Sequence, residues 1–186
     1  VNNGGATVST SNPFDFGSVL FDQTSDYLTL LDSNDFNFGT GDFTIECFVK
    51  PETLNTSAYS SGFSTILDHD GGTGNYTGAW FAIHQQHSQV YWASNNANQI
   101  SGGTLSLSWH HIAVVRSGST TTLYVDGSSV ANYTDNLNYT DSYTRGLYIG
   151  TQNGTNRRFG GYISNLRLVK GTAVYSGNFS PPTSPL

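Results

Sequence analysis

The chain has 186 residues, enough for one domain whose core needs no covalent staple. Charged residues make up only 11% and aromatics a high 13%, so low charge does not imply disorder: aromatic and β-branched side chains supply the apolar area that ordering requires. The net charge is −6, and among seven bases only Arg157 and Arg158 are adjacent, which excludes the clustered positive charge of a nucleic-acid groove.

From the N-terminus, residues 1–13 are polar and Gly-rich and read as a lead-in. Alternation starts at Tyr27-Leu28-Thr29-Leu30-Leu31, a strand. In the segment from Phe43 to Lys50, alternation puts Phe43, Ile45, Cys47 and Val49 on one face and Thr44, Glu46, Phe48 and Lys50 on the other. Pro51 lacks a ladder donor and should end that strand. Phe48 on the more polar face implies that this face is partly covered too. Cys47 is the only cysteine, so an intrachain disulfide is excluded and a buried small hydrophobe is the expectation. Strands follow at Gly78 to His84, Ser88 to Ala93 and His111 to Arg116. Thr121 to Val125 and Ser128 to Tyr133 flank Asp126-Gly127, which tolerate the positive φ of a type I′ hairpin turn. Leu147 to Ile149 and Gly161 to Val169 complete the set.

Helical periodicity is absent and no run reaches membrane-spanning length, so no membrane insertion is expected. Many short strands separated by turn signals predict an all-β fold, an antiparallel sandwich of two sheets. The Pro-rich residues 180–186 read as a C-terminal extension, leaving 14–179 as the domain.

Several groups could carry chemistry. Aromatic faces suit the C–H-rich faces of hexoses, which makes Tyr76, Trp80, Tyr91 and Trp92, with His84 nearby, candidates for a glycan site. Alternation divides Tyr91 from Trp92, so at least one belongs to the core. Asp68-His69-Asp70, followed by Gly71-Gly72 and Asn75, is the densest local set of oxygen ligands; it reads first as an ordinary polar loop, with a calcium site as the alternative. His110 and His111 point to opposite strand faces and cannot share a metal, and His84 with His87 alone do not make a zinc site. A glycosidase needs two carboxyls across the scissile bond. Glu46 and Glu52 are the only glutamates, Pro51 separates them, and no acid-rich strand is present. A Ser-His-Asp triad assembles in space and leaves no mark here. Asn-x-Ser/Thr patterns at Asn55, Asn75, Asn132, Asn138, Asn153 and Asn178 matter only on a glycosylating route.

Five segments together carry a family resemblance: Tyr27-Leu28-Thr29-Leu30; Phe38-Gly39-Thr40-Gly41-Asp42-Phe43-Thr44-Ile45-Glu46; Trp109-His110-His111-Ile112-Ala113-Val114-Val115-Arg116; Thr122-Leu123-Tyr124-Val125-Asp126-Gly127; and Phe159-Gly160-Gly161-Tyr162-Ile163-Ser164-Asn165-Leu166-Arg167-Leu168-Val169-Lys170-Gly171. They resemble the laminin G-like branch of the concanavalin A-like lectin/glucanase superfamily. The closing segment, Tyr175-Ser176-Gly177-Asn178-Phe179 through Leu186, is similar to modules in structural proteins of marine tailed bacteriophages.

The resemblance implies a jelly roll used in adhesion, glycan binding or virion attachment. Family members often hold a structural calcium; here Asp22 and Asp26 would take the first part of that site and Asn165 the second, where many members carry an aspartate. No cofactor is required, and calcium is optional. The implied protein is a non-catalytic display or lectin-like carbohydrate-binding module at a virion surface, in capsid or tail. Its partners would be neighbouring virion proteins, host-surface glycans or a second copy in a homo-oligomer. The alternatives are a glycoside hydrolase of the same superfamily and an extracellular, calcium-dependent adhesive domain of a cellular surface protein.

Overall fold

The computed structural model describes residues 1–14, 17–54, 62–69, 78–94, 98–140 and 146–186. Within them run fourteen strands: β1 (Asn2–Asn3), β2 (Thr7–Ser9), β3 (Ser18–Asp22), β4 (Tyr27–Leu30), β5 (Phe43–Pro51), β6 (Phe63–His69), β7 (Ala79–His84), β8 (Gln89–Ser94), β9 (Asn98–Gly102), β10 (His110–Ser117), β11 (Thr120–Val125), β12 (Ser128–Thr134), β13 (Leu147–Ile149) and β14 (Gly160–Lys170). Sheet I has the order β1-β4-β13-β6-β7-β8-β9, and sheet II the order β12-β11-β10-β5-β14-β3-β2. Neighbouring strands are antiparallel throughout. No helix among the described residues is long and apolar enough to cross a membrane.

The core lies between the sheets because alternation sends one side of each strand inward. Phe43, Ile45, Cys47 and Val49 of β5 meet Phe81 and Ile83 of β7 and Val90 and Trp92 of β8 in one buried cluster. Each such side chain contributes about 1.5–3 kcal/mol when fully buried. Ile112 and Val114 of β10 join the same cluster, whereas Ala113 and Val115 face the other way. The expected turn is present, with φ of 49° at Asp126 and 77° at Gly127.

The outer face of sheet II is covered, as Phe48 implies. Phe14 meets Phe48 edge-on at 4.7 Å. The segment beyond β14 turns back, and Tyr175 and Phe179 stack on each other and pack over Ala113, Val115 and Tyr124. The tail is pinned by Phe179 N–H to Gly127 O at 2.9 Å and by Ser129 N–H to Asn178 Oδ1 at 2.9 Å.

Several segments differ from their sequence expectation. Residues 1–13, read as a lead-in, place β1 beside β4 in sheet I and β2 beside β3 in sheet II. β3, β6 and β9 also escape the sequence pattern. In β6 a bulge between Thr65 and Leu67 breaks the alternation that would have marked it.

Candidate functional site

The outer face of sheet I gathers an aromatic cluster by register. The β6–β7 ladder sets Phe63 opposite His84 and Asp68 opposite Trp80, while β7–β8 sets Ala82 opposite Tyr91. Directly opposed side chains share a face. Since Phe81, Ile83, Val90 and Trp92 point into the core, Trp80, Ala82, His84, Tyr91 and Ala93 point outward, where Phe63 packs against them. Ring centroids lie 5.1 Å apart for Phe63 and Trp80, 4.6 Å for Phe63 and Tyr91, and 5.1 Å for Trp80 and Tyr91. His84 meets Phe63 at 4.7 Å and His87 at 4.4 Å. Trp80 is held by its Nε1–H, which donates to Thr65 Oγ1 at 3.0 Å.

Of the expected glycan set, Trp80, Tyr91 and His84 lie on this outer face, and another member does not. Trp92 is 0% exposed, in the inter-sheet core, with Nε1–H donating to Tyr133 at 3.3 Å; it cannot meet a ligand. Tyr91 takes the outward place instead, because residues adjacent in a strand alternate sides. Tyr76 lies outside the described residues.

The connection from β13 to β14 lies across the same face and brings both adjacent arginines to it. The Arg157 guanidinium sits 4.5 Å over the Trp80 ring and 5.3 Å from that of Phe63, with Nη1 donating to Gln152 Oε1 at 2.7 Å. Arg158 lies 5.4 Å over Tyr27 and donates to Ser25 O at 2.9 Å and Gly154 O at 3.1 Å. Asn153 N–H donates to the buried Asp68 Oδ2 at 2.8 Å, fastening the connection to β6. Sequence reading saw these arginines only as the one adjacent pair of bases; nothing local announced that they cap aromatic rings. Burial, opposed by the Arg157 charge, pushes the Tyr91 hydroxyl up to about 12. Burial, then the neighbouring His87, lowers the pKa of His84. Both groups stay uncharged at neutral pH.

The candidate metal ligands are scattered. Asp22 accepts the backbone N–H groups of Thr24, Ser25 and Asp26, and Asp26 accepts those of Gly5 and Asp22. Burial opposes ionisation of Asp22, but the hydrogen bonds from Thr24, Ser25 and Asp26 outweigh it and hold the carboxyl below its usual range. The β3–β14 register pairs Asp22 with Gly160 and Val19 with Ile163, so Asn165 falls beyond the opposite end of β3. That is a separation of about 10 Å or more at the rise of a strand. Asn165 instead lines an open depression of about 240 Å³ with Val8, Gly17 and Ser18. The structure therefore does not bring Asn165 to Asp22 and Asp26. Asp68 belongs to β6 and not to a loop, while Asp70 and Asn75 lie outside the described residues. No cluster of three His, Cys, Asp or Glu suited to a metal occurs among the described residues.

A laminin G-like domain model of the concanavalin A-like lectin/glucanases superfamily matches residues 22–173. The chain belongs to that superfamily. Among solved structures it is similar to domain 4 of AbnA, a GH43 extracellular arabinanase from Geobacillus stearothermophilus in complex with arabinotriose, with a TM-score of 0.61 and 15% identity over 92% of this chain and 78% of that one. It is similar to the binding domain of Paraclostridial Mosquitocidal Protein 1, with a TM-score of 0.68 and 13% identity over 93% of this chain but only 44% of that one. It also resembles CBM40 of the Ruminococcus gnavus IT-sialidase bound to α2,3-sialyllactose, with a TM-score of 0.58 and 15% identity over 75% and 80% of the two chains. These likenesses establish the fold. No curated protein matches the chain.

Within this concanavalin A-like frame, the two glutamates lie at separate places. Glu46 is buried on the other sheet, tied to His111 at 3.0 Å, to Arg167 Nε at 2.8 Å and to the Tyr175 hydroxyl at 2.7 Å. Glu52 is exposed beyond the end of β5. Sequence reading found no triad, yet Ser106, His110 and Asp126 are linked in triad order. His110 Nδ1 lies 2.7 Å from Asp126 Oδ2, and Nε2 lies 2.8 Å from Ser106 Oγ. The Nε2 lone pair also accepts the Ser106 backbone N–H at 3.0 Å, which assigns the ring proton to Nδ1. Ser106 Oγ is exposed and accepts Ser108 N–H at 3.2 Å, and Asp126 anchors His111 N–H at 2.9 Å. This is a staple between a loop and the β11–β12 hairpin; its acceptor lone pair is already shared with a backbone donor.

Proposed function

We propose that the protein is a non-catalytic glycan-binding module whose saccharide seats on the outer face of sheet I. The observation that carries this reading is the ring cluster on that face, where Phe63 and His84 are partly exposed over the buried Trp80 and Tyr91 and are bordered by the partly exposed Arg157 with donors to spare. Flat rings suit the C–H faces of a sugar, and fixed polar edges suit its hydroxyls. Support comes also from the superfamily, and from similar structures whose saccharides are arabinotriose and sialyllactose. A surface or extracellular setting fits this role.

Display on a virion is the finer form of the reading, supported by the likeness of the Tyr175-to-Phe179 segment to bacteriophage modules. Calcium is not required in this reading, in which the Asp22 and Asp26 oxygens receive backbone N–H groups. The test is a glycan array followed by calorimetric titration of hits into wild-type protein and the Tyr91→Ala variant. Binding that Tyr91→Ala weakens about tenfold or more would support the site. No saccharide above background would overturn the reading.

A further inference from the structure

Resting on that reading, we propose that the saccharide is acidic and that its oxyanion is read by the free Nε–Nη2 edge of Arg157, with Arg158 as a second positive charge along the same face. The protein has seven bases and a net charge of −6, yet its only adjacent arginines both reach the outer face of sheet I. Two other arginines among the described residues, both on sheet II, have work inside the protein. Arg167 directs its Nε and Nη2 to the Glu46 carboxylate. Arg116 donates to the carbonyl oxygens of Gly39, Gly118, Asp135 and Leu137.

Arg157 is different. It donates once, from Nη1 to Gln152, and has no carboxylate partner among the described residues. A guanidinium carries five N–H donors in a fixed fork. The edge left over, Nε with Nη2, is the edge by which Arg167 holds a carboxylate in this same molecule. Contact with the Trp80 and Phe63 rings and the bond to Gln152 restrict the guanidinium before a ligand arrives, which lowers the ordering cost of binding.

The guanidinium lies over the Trp80 ring, so a saccharide on this face meets that charge before the indole.

The experiment titrates lactose, sialyllactose and sulfated lactose, and then the acidic and neutral halves of a glycan array, against wild type, Arg157→Gln, Arg157→Lys and Arg158→Gln, with circular dichroism confirming each fold. Acidic saccharides should bind about tenfold or more tighter than their neutral parents, and Arg157→Gln should abolish that preference. Arg157→Lys should restore it only in part, since the ammonium keeps charge and loses the fork. Raising salt should weaken the acidic ligands selectively, in wild type as well. Comparison of sialylated with sulfated forms identifies which oxyanion is preferred; either preference supports the proposal. Equal affinity for neutral and acidic sugars, or an unchanged preference in a folded Arg157→Gln protein, overturns it while leaving glycan binding intact. Binding of no saccharide at all overturns both.

Discussion

Trp80 on β7 and Trp92 on β8 occupy adjacent registers of one ladder and face opposite sides of it: Trp80 opposes Ala93, and Phe81 opposes Trp92. One indole therefore belongs to the outer face and the other to the core, although they differ by little in local sequence. Trp92→Ala should cost about 3–5 kcal/mol, the range for emptying an aromatic site in a packed core. Trp80→Ala should cost less, about 1–3 kcal/mol, because its buried ring is covered on one side by the partly exposed Arg157 side chain and not by the inter-sheet core. Chemical denaturation checks the order, and saccharide titration checks that Trp80→Ala loses affinity while the folded fraction is intact. A larger stability loss at Trp80 would place the indoles the other way round.

Glu46 makes the acid limb of stability. Burial opposes its ionisation, but hydrogen bonds from His111, Tyr175 and Arg167, together with the Arg167 charge, outweigh burial and lower its pKa from the ordinary 4.5. A carboxyl lowered on folding contributes stability that is fully present above its unfolded pKa and is lost as pH falls through the folded one. Unfolding free energy measured from pH 6 downward should therefore decline below about 4.5 in wild type, more gently in Glu46→Gln. At neutral pH Glu46→Gln should be destabilised by about 3–5 kcal/mol, because Arg167 and His111 lose a buried partner. Parallel acid limbs in the two proteins would remove Glu46 from this role.

Gly127 couples the β11–β12 turn to the C-terminal tail. Its φ of 77° disfavours any side chain, and an added Cβ would sit 1.8 Å from Phe179 O. That contact is with backbone, so it cannot be relieved by a rotamer change. Gly127→Ala should strain the turn by about 1 kcal/mol or more and also push Phe179 off Tyr124. Limited proteolysis should then cut within 172–181 faster than in wild type. Phe179→Ala should give the same cleavage pattern without the turn strain, which separates the two effects.

The fold was more legible than the site, for a physical reason. Period-two alternation is a local signal, so the faces of Phe43 to Val49 and of Ile112 to Val115 follow from the residues themselves. Strands that depend on distant partners were invisible. β1 and β2 are short and polar and exist only because β4 and β3 offer free edges, and β6 hides behind its bulge. Site residues suffer more from the same limit. Trp80 and His84 could be named from composition, but the Arg157 stack requires a loop to fold back over a sheet, which no spacing announces. The candidate calcium set is divided by register: Asp22 and Asn165 lie on adjacent strands, β3 and β14, yet toward opposite ends of their ladder.

Cys47 offers a probe of how often the core opens. It is fully buried on β5, where burial first, and then the Glu46 charge, pushes the thiol far above its ordinary range. A thiol that neither ionises nor meets solvent cannot attack a disulfide reagent. Labelling of native protein should therefore be slow and independent of reagent concentration at saturation, its rate reporting opening, whereas denaturant should release one thiol per chain at once. Cys47→Ser should cost about 1–3 kcal/mol, because its hydroxyl would enter an apolar cluster with Ile45 and Val49 as near neighbours. Cys47→Ala should cost less than Cys47→Ser if the missing hydrogen-bond partner, and not lost volume, dominates. Rapid stoichiometric labelling of the native state would show that the two sheets part far more readily than their packing implies.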